Sequence, residues 1–249
     1  MKNIEHTYDD FCRAEFSALQ AKIEHLFVDI EIDCPYGLPY QATFHQASFA
    51  PLGERVMELF LAAGYRRNGN CLYHMRCKEC SACIPLRLHT TDFIPSRSQK
   101  RIVKKNTDLT ITLLPLRASK DALELCEKFL IARYPKENNN AVGYYRDFFL
   151  NSIVNSAQLQ FRIGDRLVGV SIIDIGSNWV NAVYFYFDPD ESKRSLGTLN
   201  ICNLVNICQE WGVDHLYLGY LIHNVSAMNY KKNFSPYYLF LDNKWVEGK

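Results

Sequence analysis

YFYFDPDESKRSLG, residues 184–197, joins an aromatic run of strand character to a turn and then to a periodic apolar stretch. Val180 to Phe187 reads as a strand that carries Tyr184 and Tyr186 on one face. Asp188-Pro189 ends it, and Arg194-Ser195-Leu196-Gly197 opens a helix over Leu196 to Trp211. This order aims backbone N–H groups and the positive end of a helix at the strand terminus, where a phosphate or carbonyl oxygen can be held.

Upstream of this block, Gln158 to Ile163 and Leu167 to Ile175 alternate as strands joined at Gly164-Asp165. With Val180 to Phe187 they predict an antiparallel meander. Leu109 to Leu114 reads as a strand and Ser119 to Ala132 as a helix; after the turn-rich KENNN at 136–140 another helix runs through Phe148. Downstream, His215 to Gly219 is a strand and Val225 to Lys232 a short helix. Before about residue 108 the elements are shorter. Tyr8 to Leu19 has helical spacing, Leu26 to Ile32 and Gln41 to Gln46 read as strands, and Pro51 to Gly64 is a helix with Gly64 as its left-handed stop. Asn68-Gly69 marks a hairpin and Ile84 to His89 another strand. The pattern predicts an α+β protein of two domains, 1–108 and 109–249.

The chain has 249 residues, 48 % of them hydrophobic, enough for one generous core or two modest ones. No run approaches the ~18 apolar residues that a bilayer span needs, and MKNIEHTYDD lacks the build of a signal peptide. A cytoplasmic protein with no membrane partner is expected, its nine cysteines reduced. The net charge of +1 hides a local field. Between Arg66 and Lys105 ten Lys or Arg face two acids, Glu79 and Asp92. Within SRSQKRIVKKN, Arg97, Lys100, Arg101, Lys104 and Lys105 fall at i, i+3, i+4, i+7 and i+8, which puts five cations on one helical stripe. Like charges so arranged repel, and a phosphate backbone is the partner that relieves them.

Cys77, Cys80 and Cys83 form C-x2-C-x2-C, a spacing that lets thiolates converge on one metal; Cys34 or Cys71 supplies a fourth ligand. Zinc and an iron–sulfur cluster both fit such a set. Cys12, Cys126, Cys202 and Cys208 lie in helical patterns and read as core.

Several blocks together resemble the aminoacyl-tRNA:protein transferases, comprising the bacterial aspartate/glutamate leucyltransferases and the eukaryotic arginyltransferases. They are Cys34-Pro35-Tyr36, the cysteine cluster running into Ile84-Pro85, FIPSRSQKRIVKKN at 93–106, the block at 184–197, LYLGY at 216–220 and MNYKKNFSP at 228–236. The resemblance spans nearly the whole chain in family order. It departs at Tyr73-His74-Met75-Arg76, where bacterial relatives usually read Tyr-Arg-Pro-His, and at Leu221, which stands for a Trp.

The resemblance implies a GNAT-like catalytic domain, with a mixed, mostly antiparallel sheet flanked by helices, and a smaller cysteine-containing N-terminal domain that binds tRNA and acceptor. It implies transfer of an amino acid, leucine in the bacterial branch, from its tRNA to an N-terminal Asp or Glu of a protein, producing a degradation signal. The partners are then aminoacyl-tRNA and acidic-start proteins, not DNA, and the chemistry needs no cofactor. An activated ester requires alignment of the amine and support of an oxyanion. Asp188 is the expected base or amine-orienting group, and Tyr184 or Tyr186 the oxyanion donor or adenosine platform. Arg194, with Ser195 and Gly197, is expected at the tRNA 3′ end beside the basic stripe. Arg76, Arg87, Tyr230 and Lys231 are expected to meet the acceptor, and Cys34, Cys77, Cys80 and Cys83 the metal. The competing readings are a coenzyme A dependent N-acetyltransferase, disfavoured because Leu199 replaces the last Gly or Ala of the R-x-x-G-x-G/A turn, and a non-catalytic metal-stabilised RNA-binding protein.

Overall fold

The computed structural model describes residues 2–135 and 140–248, with side chains from residue 7 onward. The KENNN turn thus falls outside the described residues except for Asn140, whose side chain caps the helix that follows by accepting from the Gly143 N–H. Helix α1 (Lys2–Ile23) leads into β1 (Val28–Asp33) and β2 (Gln41–Ser48). Helix α2 (Glu54–Ala62), β3 (Arg66–Asn68), β4 (Cys71–Met75), β5 (Ile84–His89) and α3 (Arg97–Lys105) follow. The second half contains β6 (Thr110–Pro115), α4 (Lys120–Arg133), α5 (Ala141–Tyr144), β7 (Ser156–Ile163), β8 (Arg166–Ile175) and β9 (Trp179–Phe187). Next come α6 (Leu196–Trp211), β10 (His215–Leu221), α7 (Ser226–Asn229), β11 (Tyr238–Leu241) and β12 (Lys244–Glu247).

Two sheets result. A four-stranded antiparallel sheet runs in the order β1-β2-β4-β3, and an eight-stranded sheet in the order β12-β11-β5-β10-β9-β8-β7-β6. Only β9 and β10 pair in parallel in the larger sheet. The meander from β6 to β9 forms as the alternation requires. The fold is therefore the α+β arrangement anticipated, a mixed and mostly antiparallel sheet flanked by helices. The terminal hairpin β11–β12 was not anticipated. Its turn uses Asp242 and Asn243, both at positive φ, and those residues tolerate that conformation without glycine.

One face of the large sheet packs Val168, Ile173 and Leu216 against Leu199, Leu204, Val205 and Cys208 of α6. The other face takes α4, whose Ala122, Leu125, Cys126, Phe129 and Leu130 lie at helical spacing against Val170, Ile172 and Tyr186. A third core, with Phe16, Met57, Phe60, Leu72, Trp179 and Trp245, joins α1 and α2 to both sheets.

The division near residue 108 separates the chain in sequence but not in space. β5 lies before it and yet sits between β10 and β11 inside the large sheet. The two sheets are also locked by a buried pair in which Arg67 of β3 donates from Nε and Nη2 to Asp174 of β8, both bonds 2.9 Å. Neither side chain reaches solvent.

Candidate functional site

The parallel pairing of β9 with β10 lasts for three residue pairs, His215 with Trp179, Leu216 with Val180 and Tyr217 with Asn181. Beyond them the strands part. Each has a register shift at the parting, β9 against β8 between Ile172 and Ile173, and β10 against β5 between Tyr217 and Gly219. Bulges of this kind re-aim side chains at the edge of an opening. β3 of the small sheet fills the fork with Arg66, whose Nη1 donates to Asn181 Oδ1 and whose Nη2 donates to the Ala182 carbonyl at 2.8 Å. Gly219 makes this possible. It holds φ +78°, and a Cβ there would lie 3.1 Å from Arg66 Nη2.

Tyrosines wall the fork. The Tyr73 and Tyr220 rings are 6.4 Å apart, and the buried Tyr220 hydroxyl has no hydrogen-bond partner among the described residues. Burial pushes the Tyr36 hydroxyl well above its ordinary value, as do the adjacent Tyr73 and Cys83, while Arg66 pulls it back. Lys231 reaches in from the turn after α7 and donates from Nζ to the Tyr220 carbonyl at 2.8 Å. Burial, and then the Arg66 charge, bring its ammonium down to about 7. Of the four expected acceptor residues, Lys231 alone lines this fork. Arg76 pairs with Glu24 at 3.1 Å and with the His74 ring. Arg87 is buried under α1, donates to Asp9 at 2.7 Å and lies 4.5 Å over the Trp245 ring. Tyr230 is half-buried near the start of α6: a Cβ at Gly197 would sit 3.7 Å from its hydroxyl.

At the end of β9 the expected residues are engaged in a chain of charges. Asp188 is buried and accepts from Lys128 at 2.6 Å, from Arg166 at 2.9 Å and from the Asp190 N–H at 3.1 Å. Burial works against its charge, but the Lys128 and Arg166 cations and the N–H bond outweigh it and hold the carboxyl below its usual range. A carboxylate so saturated is a poor proton acceptor. Arg194, expected at a tRNA phosphate, instead grips Asp108 with two bonds of 2.9 and 2.8 Å and Glu191 with one of 2.8 Å. It clasps the turn to the segment after α3. Tyr186 is core, its hydroxyl shared with Tyr145 and its ring stacked on Phe149 at 6.1 Å. Tyr184 is half-exposed among Phe129, Tyr144 and Phe149. Ser195 caps α6 at φ +56° without a side-chain bond.

The basic stripe forms as the spacing requires. Ser96 and Gln99 close a capping box at the start of α3, and Gln99 also donates to the Asn233 carbonyl, fixing the helix beside the Lys231 turn. Arg97, Lys100, Arg101, Lys104 and Lys105 are all exposed, and none has a carboxylate partner among the described residues. Lys105 donates to the Lys193 carbonyl at 2.7 Å, which draws the stripe toward the end of β9.

Cys34, Cys77, Cys80 and Cys83 gather near one another. Burial, then Cys77, Cys34 and Cys80, push the Cys83 thiol up to about 12. The Thr43 N–H points at Cys77 Sγ, 3.4 Å away. Cys71 faces Ser48 instead. The four thiols fit zinc or an iron–sulfur cluster in donor chemistry, although among the described residues no three His, Cys, Asp or Glu side chains stand in ligating positions. A cavity of about 700 Å³ lies apart from the fork, between α1 and the β11–β12 hairpin. A second, about 100 Å³, connects to it at His74 and Phe240 and reaches Cys83 and Tyr220.

Sequence reasoning missed Arg66 as a site residue. The available signal was a pair of arginines directly before the Asn68-Gly69 turn: on so short a strand one side chain points to each face, and here one binds Asp174 while the other enters the fork.

A mixed, mostly antiparallel sheet flanked by helices and forked where β9 and β10 part is a GNAT-like fold. The chain matches over 82 % of its length, with TM-score 0.50 and 12 % identity, the crystallised C-terminal domain of a protein from Agrobacterium fabrum described as a lysylphosphatidylglycerol synthetase, of which it covers 66 %. Family models for the arginine-tRNA-protein transferase N terminus and C terminus match residues 32–101 and 121–241. The chain is 35 % identical over 198 residues to an aspartate/glutamate leucyltransferase of Pseudomonas fluorescens, covering 79 % of this chain and 84 % of the relative. It is 37 % identical over 184 residues to one from Methylobacillus flagellatus, covering 73 % and 74 %. It belongs to the arginine-tRNA-protein transferase family.

Proposed function

We propose that the protein transfers leucine from leucyl-tRNA to the α-amine of an N-terminal Asp or Glu on an acceptor protein, and that the new N-terminus marks the acceptor for degradation. The observation that carries this reading is the fork itself. It sets the buried Arg66 and Lys231 beside Tyr36, Tyr73 and Tyr220 where β9 and β10 part, in a chain whose named relatives are aspartate/glutamate leucyltransferases. The unpaired stripe of α3 supplies a contact for the acceptor stem, since exposed cations release counterions when they meet phosphate.

The ester of an aminoacyl-tRNA is already activated, so the work lies in alignment and charge support. The acceptor amine attacks the ester carbonyl, an amide C–N bond forms, the ester C–O bond breaks, and the amine proton passes to the departing ribose oxygen. Lys231, whose charged form burial and Arg66 disfavour, is suited to take the first proton from the incoming ammonium and release it to solvent once the amide has formed. Tyr220, with a free hydroxyl, is suited to support the oxyanion. Asp188 retains the orienting role alone, through the Lys128 and Arg166 clasp. The cysteine quartet is proposed as a metal site that ties the Cys34 loop to β5; a cation there would relieve the mutual repulsion of the thiolates.

Arginine is the second reading, favoured by the description of the family models. Competition decides it: with equal labelled leucyl-tRNA and arginyl-tRNA and one Asp-start peptide, leucine incorporation is expected, and arginine incorporation alone would replace it.

A further inference from the structure

Arg66 is 8 % exposed, and its neighbour in sequence, Arg67, has a buried carboxylate for a partner. Arg66 has none among the described residues. Its bonds go to an amide oxygen and a backbone carbonyl. Lys231, also 8 % exposed, likewise bonds only a backbone carbonyl and the Met228 sulfur. Buried charges are ordinarily paired, because desolvation is costly and a neutral dipole recovers only part of it. Arg66 is thus a buried guanidinium with only neutral acceptors among the described residues, set beside Lys231 and near a Tyr220 hydroxyl that has no partner there.

We infer that Arg66 is the residue that selects an acidic acceptor, its guanidinium receiving the side-chain carboxylate of the N-terminal Asp or Glu in the fork between β9 and β10. This rests on the transfer reaction proposed above. Three features favour a carboxylate over a tRNA phosphate here. The stripe that suits phosphate is exposed and lies on α3, whereas Arg66 is buried beside Tyr36, Tyr73 and Tyr220, surroundings that suit a short side chain better than a nucleic-acid backbone. A guanidinium carries five N–H donors, of which Asn181 and the Ala182 carbonyl take two, and the others can meet a carboxylate. Its orientation is also fixed before the ligand arrives, by Asn181, by the Ala182 carbonyl and by the bare Cα of Gly219. Placed there, the acceptor side chain puts its own α-amine beside Lys231, so one contact selects the residue and positions the nucleophile. Arg76 and Arg87, already committed to Glu24 and Asp9, are not needed for it.

The test compares the full chain with its R66Q and R66K variants in leucine transfer to three peptides that differ only in their first residue: Asp, Asn or Ala. Wild type is expected to prefer Asp strongly over Asn. R66Q is expected to lower kcat/KM for the Asp peptide by about 30-fold or more, the loss typical when one partner of a buried charge pair is removed. Its KM for leucyl-tRNA should stay within a few-fold, and the Asp-to-Asn ratio should collapse. R66K keeps a cation that can still donate to Asn181 and Ala182, so it preserves the fold if R66Q does not; it should raise the Asp-peptide KM while retaining part of the preference. A folded variant with an unchanged Asp-to-Asn ratio overturns the inference and leaves the transfer reaction standing, as does a rise in the leucyl-tRNA KM alone. No transfer by wild type to any peptide overturns both.

Discussion

Lys231 donates to the Tyr220 carbonyl from within a wall of tyrosines, and burial there disfavours its charged form. Unfolded, it binds a proton up to about pH 10.4; folded, only up to about 7. The unfolded state therefore holds more protons between those values, and stability rises with pH across that window, by up to about 1.4 kcal/mol per pH unit for one such group. K231M keeps the apolar stem and removes the titration, so denaturant unfolding between pH 7 and 8.5 should show a flatter slope than wild type; equal slopes would place the proton elsewhere. Tyr186 makes the opposite case. Its hydroxyl meets only Tyr145, so Y186F should cost about 1 kcal/mol in the same unfolding measurement and leave transfer within a few-fold. At this scale the sequence singled out Lys231 and the four cysteines through their motif blocks, and the structure buries Lys231 and brings the cysteines near one another. The sequence was not legible for Asp188, Arg194 or Arg87, because their partners, Lys128, Asp108 and Asp9, lie 60 to 86 positions away.

Helix α3 could be read in outline from eleven letters. Its charges at i, i+3, i+4, i+7 and i+8 required one stripe, which is present, and the structure adds a capping box of Ser96 and Gln99 at its start. Neutralising Lys100, Arg101 and Lys104 together should leave the melting temperature nearly unchanged, since all three side chains are exposed. The same triple variant should reduce the slope of log affinity for tRNA against log salt by about two to three; an unchanged slope would remove α3 from the RNA interface. The strand pair β3 and β8 behaves differently. Removing Asp174 leaves Arg67 charged and buried, and D174A should destabilise the chain by about 3–5 kcal/mol in chemical denaturation, with both sheets unfolding together. Nothing local in Arg66-Arg67 announces which arginine faces which sheet. That assignment depends on β3 lying at the edge of one sheet and across the fork of the other, a tertiary fact.

For the molecule as a whole, the meander from β7 to β9 was legible because it joins neighbours in sequence, whereas the pairing of β6 with β7 across two helices and the parallel pairing of β9 with β10 were not. The insertion of β5 between β10 and β11 was not, since its partners come some 130 to 150 residues later and its apolar run fits either half of the chain. That insertion brings Arg66, the Cys34 loop and Lys231 to one opening, so N-terminal and C-terminal halves both build the site. The two halves are matched by separate family models and yet both contribute side chains to one fork. A metal analysis of anaerobically purified protein should find zinc or iron in the wild type and a loss of it in C80S; full retention in C80S would remove Cys80 from the ligand set. The transfer itself is tested most directly by incubating the full chain with labelled leucyl-tRNA and peptides that begin with Asp, Glu or Ala. Label should accumulate on the Asp and Glu peptides and stay off the Ala peptide, whereas tight tRNA binding without transfer, or acylation only from acetyl-coenzyme A, would contradict the assignment.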